Sequence, residues 1–191
     1  MNGVARLHLG AVALLAFVVI AGTAAASSPS LRLMILGLNN LPAGYAQDYS
    51  HSISKADVMK EQGFVMPGYV TGWEAQYTRS EGFNTAIIDS SVNRYGTSAQ
   101  ARASIFDSSK RAAKQKGMKR ISLGASFGQD ARAYTFDTKQ GGVAVKVYIV
   151  AWRYGSLKAS VLLAGLASLG ATAEQVKQLA LKQHARMARY G

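Results

Sequence analysis

The sequence contains no cysteine and, beyond its first 26 residues, only two histidines, His51 and His184. Without cysteine the chain has no disulfide, no thiolate ligand for a metal and no thiol to carry a lipid anchor. The two histidines lack the His-x-x-x-His spacing of a zinc site. We therefore expect no metal site and no cofactor, and a fold that depends on its hydrophobic core alone.

Motifs that would name a reaction are also scarce. The glycines at 124, 128, 141 and 142 lack the lysine and the spacing of a P-loop, and glycine at a strand end serves to turn the chain. Asp48, Ser50 and His51 are close in sequence, but neighbours on one strand do not converge into a catalytic triad. The composition thus points to binding rather than to catalysis.

The N-terminus has the three-part order of a secretory signal. Arg6 precedes an apolar or glycine run at 9–21, and small residues occupy the positions that signal peptidase recognises before a cut after Ala26. We predict a signal peptide at 1–26 and an exported domain at 27–191. The alternative is an uncleaved anchor, because the charge-free stretch of 7–28 reaches the roughly 20 residues that cross a bilayer core.

Basic residues outnumber acidic ones in the chain. Removing the predicted signal takes away one arginine and leaves 21 Lys and Arg against 10 Asp and Glu, a net charge of +11. Such an excess favours anionic partners, although solubility alone is the simpler explanation. The densest basic region predicts an anionic-ligand site that comprises Lys110, Arg111, Lys114, Lys116, Lys119 and Arg120.

Residue periodicity along 27–191 predicts seven strands and three helices in the order β-α-β-β-α-β-β-β-β-α. The predicted strands are Tyr45–Ile53, Tyr69–Arg79, Thr85–Tyr95, Met118–Phe127, Ala131–Thr138, Val143–Arg153 and Leu157–Leu166. The helices are predicted to follow the caps Ser54, Thr97 or Ser98, and Thr172. We expect a single α+β domain, a twisted antiparallel sheet with helices packed mainly on one face.

The helix faces can be assigned in the same way. The second helix is predicted to bury Ala99, Ala103, Phe106 and Ala113, with Ile105 and Ala112 beside them. The last helix is predicted to bury Val176, Leu179, Ala180, Gln183 and Met187. Aromatic side chains on the strands are interpreted as core, with a sugar- or lipid-binding groove as the alternative.

Three short motifs carry a resemblance to other proteins: "LNNLPAGY" at Leu38–Tyr45, "AWRYG" at Ala151–Gly155 and "LALKQHARM" at Leu179–Met187. With them the chain resembles uncharacterised exported bacterial α+β proteins that open on a Leu-Pro-x-Gly-aromatic turn. The resemblance implies a fold and an extracytoplasmic address. It implies no catalytic residue.

We interpret the chain as an exported, non-catalytic domain that binds an anionic envelope polymer or lipid headgroups; export disfavours nucleic acid. One alternative is an envelope-polymer hydrolase that uses scattered carboxylates such as Glu74 and Asp89, which lie on strands predicted to pair. Such an enzyme needs its two carboxylates roughly 5–10 Å apart in an open cleft. Another is a protein anchored in the membrane by its N-terminal helix.

N-terminal sequencing of the exported protein tests the predicted cleavage. We expect the mature chain to begin at Ser27, because small residues precede that position at −3 and −1. A protein that keeps its first 26 residues would contradict cleavage and support the anchored alternative.

Overall fold

The computed structural model describes residues 29–82, 84–140 and 142–191 of the chain. Its strands are β1 Ala46–Ile53, β2 Tyr69–Glu81, β3 Asn84–Tyr95, β4 Lys119–Ile121, β5 Gln129–Gln140, β6 Val143–Tyr154 and β7 Leu157–Gly165. Its helices are α1 Pro29–Met34, α2 Lys55–Gln62, α3 Ser98–Lys114 and α4 Ala173–Tyr190. The strands form one antiparallel sheet in the order β1-β2-β3-β7-β6-β5-β4, which confirms the single α+β domain.

The predicted signal peptide and its cleavage site after Ala26 lie outside the described residues. Among the helices that are described, none is long and apolar enough to cross a bilayer. The prediction of export therefore stays a prediction.

Helix boundaries follow the local signals in the sequence. The side chains of Ser54, Thr97 and Thr172 each accept the backbone N–H three residues further on, at 3.2, 3.2 and 3.1 Å. These bonds satisfy N–H groups that a helix start leaves unpaired. Gly63 ends α2 in a left-handed conformation, with φ of 72°, which glycine adopts without strain.

Two segments differ from the prediction at their ends. The stretch Pro29–Met34 forms α1, a helix that is not among the three predicted, because Leu31 and Met34 bury their side chains almost completely in the core beside α4. The fourth strand, predicted over Met118–Phe127, is limited to the three residues of β4. The segment after it bends at Gly124 and Gly128, whose φ angles of 59° and 58° are left-handed.

The helices cover both faces of the sheet rather than mainly one. Leu157 and Ala159 of β7 belong to the core cluster built with α4, whereas Lys158 between them contacts α3. Because successive strand residues point to opposite faces, α4 and α3 lie on opposite sides. The physical reason is that β3 and β7 are buried on both faces, so each face requires a covering helix.

The face under α1 and α4 carries the larger apolar core. Trp152 and Tyr77 are the largest of its fully buried side chains, and Phe127 meets Trp152 edge to face with ring centroids 5.4 Å apart. A Cβ at Gly128 would lie 2.3 Å from the Trp152 ring. Only glycine therefore allows the backbone at position 128 to approach the Trp152 ring this closely. The predicted inner face of α4 is confirmed in full.

The α3 helix matches its predicted apolar face at Ile105 and Ala112 but not at three of the predicted alanines. It buries Ala101, Ser104, Ile105 and Ala112, whereas Ala99, Ala103 and Ala113 are exposed. The reason lies in the sheet beneath, which presents hydrogen-bonding groups. Ser104 contacts the Tyr95 hydroxyl at 2.6 Å and accepts from Lys158 at 3.3 Å, so a buried serine here supplies hydrogen bonds that an alanine could not.

One buried hydrogen-bond network joins α1, the centre of the sheet and α4. The Ser90 hydroxyl accepts the Leu36 N–H at 2.9 Å and donates to Gln183 Oε1 at 2.9 Å. The Gln183 amide also donates to the Ser91 carbonyl at 2.9 Å. Gln183 is fully buried, so its amide must be satisfied by these protein groups rather than by water.

Gln183→Met tests the importance of this network. The substitution keeps the side-chain volume but removes the hydrogen bonds of Gln183 with the Ser90 hydroxyl and the Ser91 carbonyl. We expect the free energy of unfolding to fall by about 1–3 kcal/mol. Urea unfolding measures it. Gln178→Met on the exposed side of α4 is the control, with an expected change of about 0.5 kcal/mol or less. Equal effects of the two substitutions would contradict the role of the network.

Candidate functional site

Five of the six predicted anion-binding residues are exposed, and they lie in the last turns of α3, in the turn after it and on β4. We call this set, Lys110, Lys114, Lys116, Lys119 and Arg120, the basic patch. Lys110 pairs with Asp107 one turn away, at 3.6 Å. Within the described part of the chain, no carboxylate oxygen lies within 4.0 Å of the other four cations. The patch therefore presents four uncompensated positive charges to solvent.

The local structure explains why cations can gather at this end. The last turn of α3 leaves carbonyl groups without intrahelical partners, and positive charge there interacts favourably with the helix dipole. The edge strand β4 then continues the series with Lys119 and Arg120, and charged residues on a short edge strand discourage pairing with another sheet. Part of the patch thus has a structural reason to be basic.

Arg111 does not belong to the basic patch. Its guanidinium lies 4.8 Å from the ring centroid of Phe64 and donates to the sulfur of Met66 at 3.7 Å. Both contacts come from the segment that follows α2. Arg111 therefore points into the cleft between α2 and α3, a surface that the linear sequence did not separate from the basic patch.

Glu74 and Asp89 come together as the hairpin predicts. Glu74 faces Ser91 across β2 and β3, and Asp89 faces Gln76 in the next pair on the same sheet face. Glu74 is 3% exposed and lies 3.3 Å from His51 Nε2. Asp89 is 7% exposed and accepts a hydrogen bond from the Gln76 amide at 2.9 Å.

Burial changes the protonation of both acids. Loss of solvent raises the pKa of Glu74 to about 9, with the Asp89 charge as the next cause. Loss of solvent raises the pKa of Asp89 to about 7, although the Gln76 hydrogen bond opposes the shift. Burial also lowers the pKa of His51. At neutral pH the contact between His51 and Glu74 is accordingly one between neutral groups rather than an ion pair.

The hydrolase alternative required these carboxylates in an open cleft, and their burial does not meet that requirement. A polymer chain has no access to either group. We therefore reject the hydrolase alternative that uses Glu74 and Asp89. The two acids belong instead to a buried polar row on the sheet, continued by the 2.8 Å contact between the hydroxyls of Ser91 and Ser160.

Residues 124–128 have the form Gly-x-Ser-x-Gly, which sequence reasoning considered only as a phosphate loop. In hydrolases that motif turns from a strand into a helix, whereas here it lies in the loop between β4 and β5. The nearby His184 accepts the Gly128 N–H on Nε2 at 3.4 Å, so this nitrogen is not free to take a proton from Ser126. Nor do His, Asp and Glu side chains form a metal-binding group of three anywhere in 29–82, 84–140 or 142–191.

The aromatic side chains on the strands pack mainly into the core. Trp73, Tyr77 and Trp152 all belong to the cluster under α1 and α4 or pack against it. Tyr69, predicted on the same face as Trp73, lies on the opposite face because a bulge shifts the register between Tyr69 and Thr71. It meets Tyr95 edge to face beside α2 and α3. The core interpretation therefore describes them better than a groove.

The site that sequence reasoning missed is centred on Lys158. This lysine stands in β7 among small and apolar residues, and it donates to the hydroxyls of Ser104 and Ser108 on α3 at 3.3 and 3.0 Å. A single lysine in an otherwise apolar strand is the signal that could have identified it. Together with Arg111 it lines the cleft between α2 and α3.

Comparison with known proteins reveals similarity in fold but not in sequence. No protein-family model matches the chain, and a search among curated proteins finds no match. Among solved structures, the extracellular domain of PknH from Mycobacterium tuberculosis superposes with a TM-score of 0.64 at 10% sequence identity. The alignment covers 88% of this chain and 100% of that domain. The likeness shows a shared fold, and it assigns no binding residue.

Substitution of the buried acids should change how stability depends on pH. Between about pH 5 and 9 the folded Glu74 holds a proton that the unfolded chain has lost, so the free energy of unfolding falls as pH rises. Each such group contributes at most about 1.4 kcal/mol per pH unit. Glu74→Gln should make the free energy of unfolding fall less steeply with pH up to about pH 9. Asp89→Asn should have the same effect only up to about pH 7. Urea unfolding across the pH series measures both slopes, and unaltered slopes would contradict the buried neutral acids.

Proposed function

We propose that the protein is an extracytoplasmic, non-catalytic binding domain whose basic patch binds an anionic polymer of the cell envelope. The observation that carries the proposal is the set of four exposed cations without a carboxylate partner among the described residues. The predicted signal at 1–26 supports the location, and so does the fold shared with a domain described as extracellular. A net charge of +11 on the predicted mature chain supports attraction to polyanions.

A polymer fits the basic patch better than a lipid surface does. Proteins that bind bilayers combine cations with apolar side chains that enter the headgroup region. The exposed large hydrophobic residues of the described chain are Leu33, Leu38, Met59, Val70 and Val143. None of them lies in 110–120, so the patch offers charge without an apolar anchor.

The test compares two variants of equal net charge. One replaces Lys114, Lys116, Lys119 and Arg120 with Gln. We expect this variant to bind purified envelope polymer at least about tenfold more weakly at low salt. Each cation that is lost lowers the number of counterions that the polymer releases on binding. We also expect wild-type binding to weaken steeply as salt increases.

The matched control removes four cations from the opposite face, in α1 and α4. It replaces Arg32, Lys177, Lys182 and Arg189 with Gln, and we expect it to bind nearly as wild type does. Equal losses in the two variants would show that overall charge, not the basic patch, causes binding. Binding that is indifferent to salt would contradict the proposal.

A second arm uses vesicles that contain phosphatidylglycerol. Retention on vesicles but not on polymer would assign the basic patch to a membrane surface and contradict the polymer proposal. Retention on polymer alone supports it.

A further inference from the structure

The cleft between α2 and α3 contains a cation without a counter-ion. The Lys158 amino group lies between the hydroxyls of Ser104 and Ser108. Among the described residues, no carboxylate oxygen comes within 4.0 Å of it. Burial lowers the pKa of Lys158 to about 8, and the charge of Arg111 lowers it further. The amine thus still carries its proton at neutral pH in most molecules. A partly buried charge without a counter-ion costs free energy, and an anion bound from solvent would offset that cost.

Arg111 supplies a second positive group in the same cleft. Its contacts with Phe64 and Met66 hold the guanidinium in place without neutralising it. Glu61 of α2 also lines the cleft, so the lining carries two cations against one carboxylate. The excess of positive charge selects a negatively charged occupant.

The remaining lining residues define the size and the polarity of that occupant. Asn93 on the floor adds an amide group, while Ile53, Val58 and Met66 form an apolar wall. The cavity has a volume of about 70 Å³. That is several times the roughly 10–15 Å³ that a water needs, and far below the roughly 300–1,000 Å³ of a site for a drug-sized ligand. The space suits one small oxyanion.

We infer that this cleft is a binding site for a small oxyanion, a carboxylate or phosphate group, held by Lys158 and Arg111 with the Ser108 hydroxyl as a further donor. The Ser108 hydroxyl accepts from Lys158 and keeps its own proton for the anion. The site is separate from the basic patch and does not depend on polymer binding. Its ligand is a small molecule or the end group of a larger one.

The test is an NMR titration of the purified protein with inorganic phosphate and, separately, with acetate at constant ionic strength. We expect saturable shifts of the backbone amides of Asn93, Ser108 and Lys158. Saturation by phosphate alone assigns a phosphate group, and saturation by acetate alone assigns a carboxylate. No saturable shift with either anion would overturn the inference.

Three single substitutions locate the site. Lys158→Met and Arg111→Gln should each weaken binding at least about tenfold, since each removes one positive charge that holds the anion. Lys60→Met is the control, because it removes an exposed cation of α2 that does not line the cleft, and it should leave the affinity unchanged. Arg111→Gln keeps the test decisive if Lys158→Met does not fold.

Two outcomes separate this inference from the proposed function. Equal affinities of the control and the two cleft variants would place the anion elsewhere and overturn the inference. The variant that lacks four cations of the basic patch should keep its small-anion affinity while losing polymer. Loss of both activities in that variant would assign the small anion to the basic patch instead of the cleft.

Discussion

The polar groups on one face of the central strands must find hydrogen-bond partners once a helix covers them, and much of the structure follows from that requirement. An unpaired buried polar group costs about 1–3 kcal/mol. Ser91 meets Ser160, Glu74 meets His51, and Lys158 meets two serines of α3. The orientation of α3 therefore depends on its serine hydroxyl groups as well as on its buried apolar side chains.

The opposite face is governed by the hydrophobic effect, and it carries the largest apolar cluster. Trp152, Tyr77 and the inner side of α4 form a continuous apolar cluster that also includes α1. Gln183 is a polar side chain within this layer, and it accepts from the Ser90 hydroxyl and donates to the Ser91 carbonyl. Without a disulfide, the cohesion of the domain rests on this layer.

Charge is divided between two places with different accessibility. The basic patch faces solvent, where salt screens its charges and where each ion pair contributes little binding free energy. Lys158 and Arg111 lie in the cleft between α2 and α3, where fewer waters compete for them. A polyanion suits the first arrangement, and a small oxyanion suits the second. The same excess of basic residues thus supports two separate proposals.

Sequence and tertiary structure determined different features of this protein. Periodicity and caps predicted the seven strands, three of the helices and the inner face of α4, because those patterns depend on neighbours along the chain. The cations of the basic patch could also be located in the sequence, because they lie close together along the chain, within residues 110–120. Only the tertiary structure decided that helices cover both faces, that Glu74 and Asp89 are buried, and that Arg111 joins Lys158 in a cleft. Those outcomes depend on which face of one element packs against another, and residues distant in sequence set that choice through burial and hydrogen bonding.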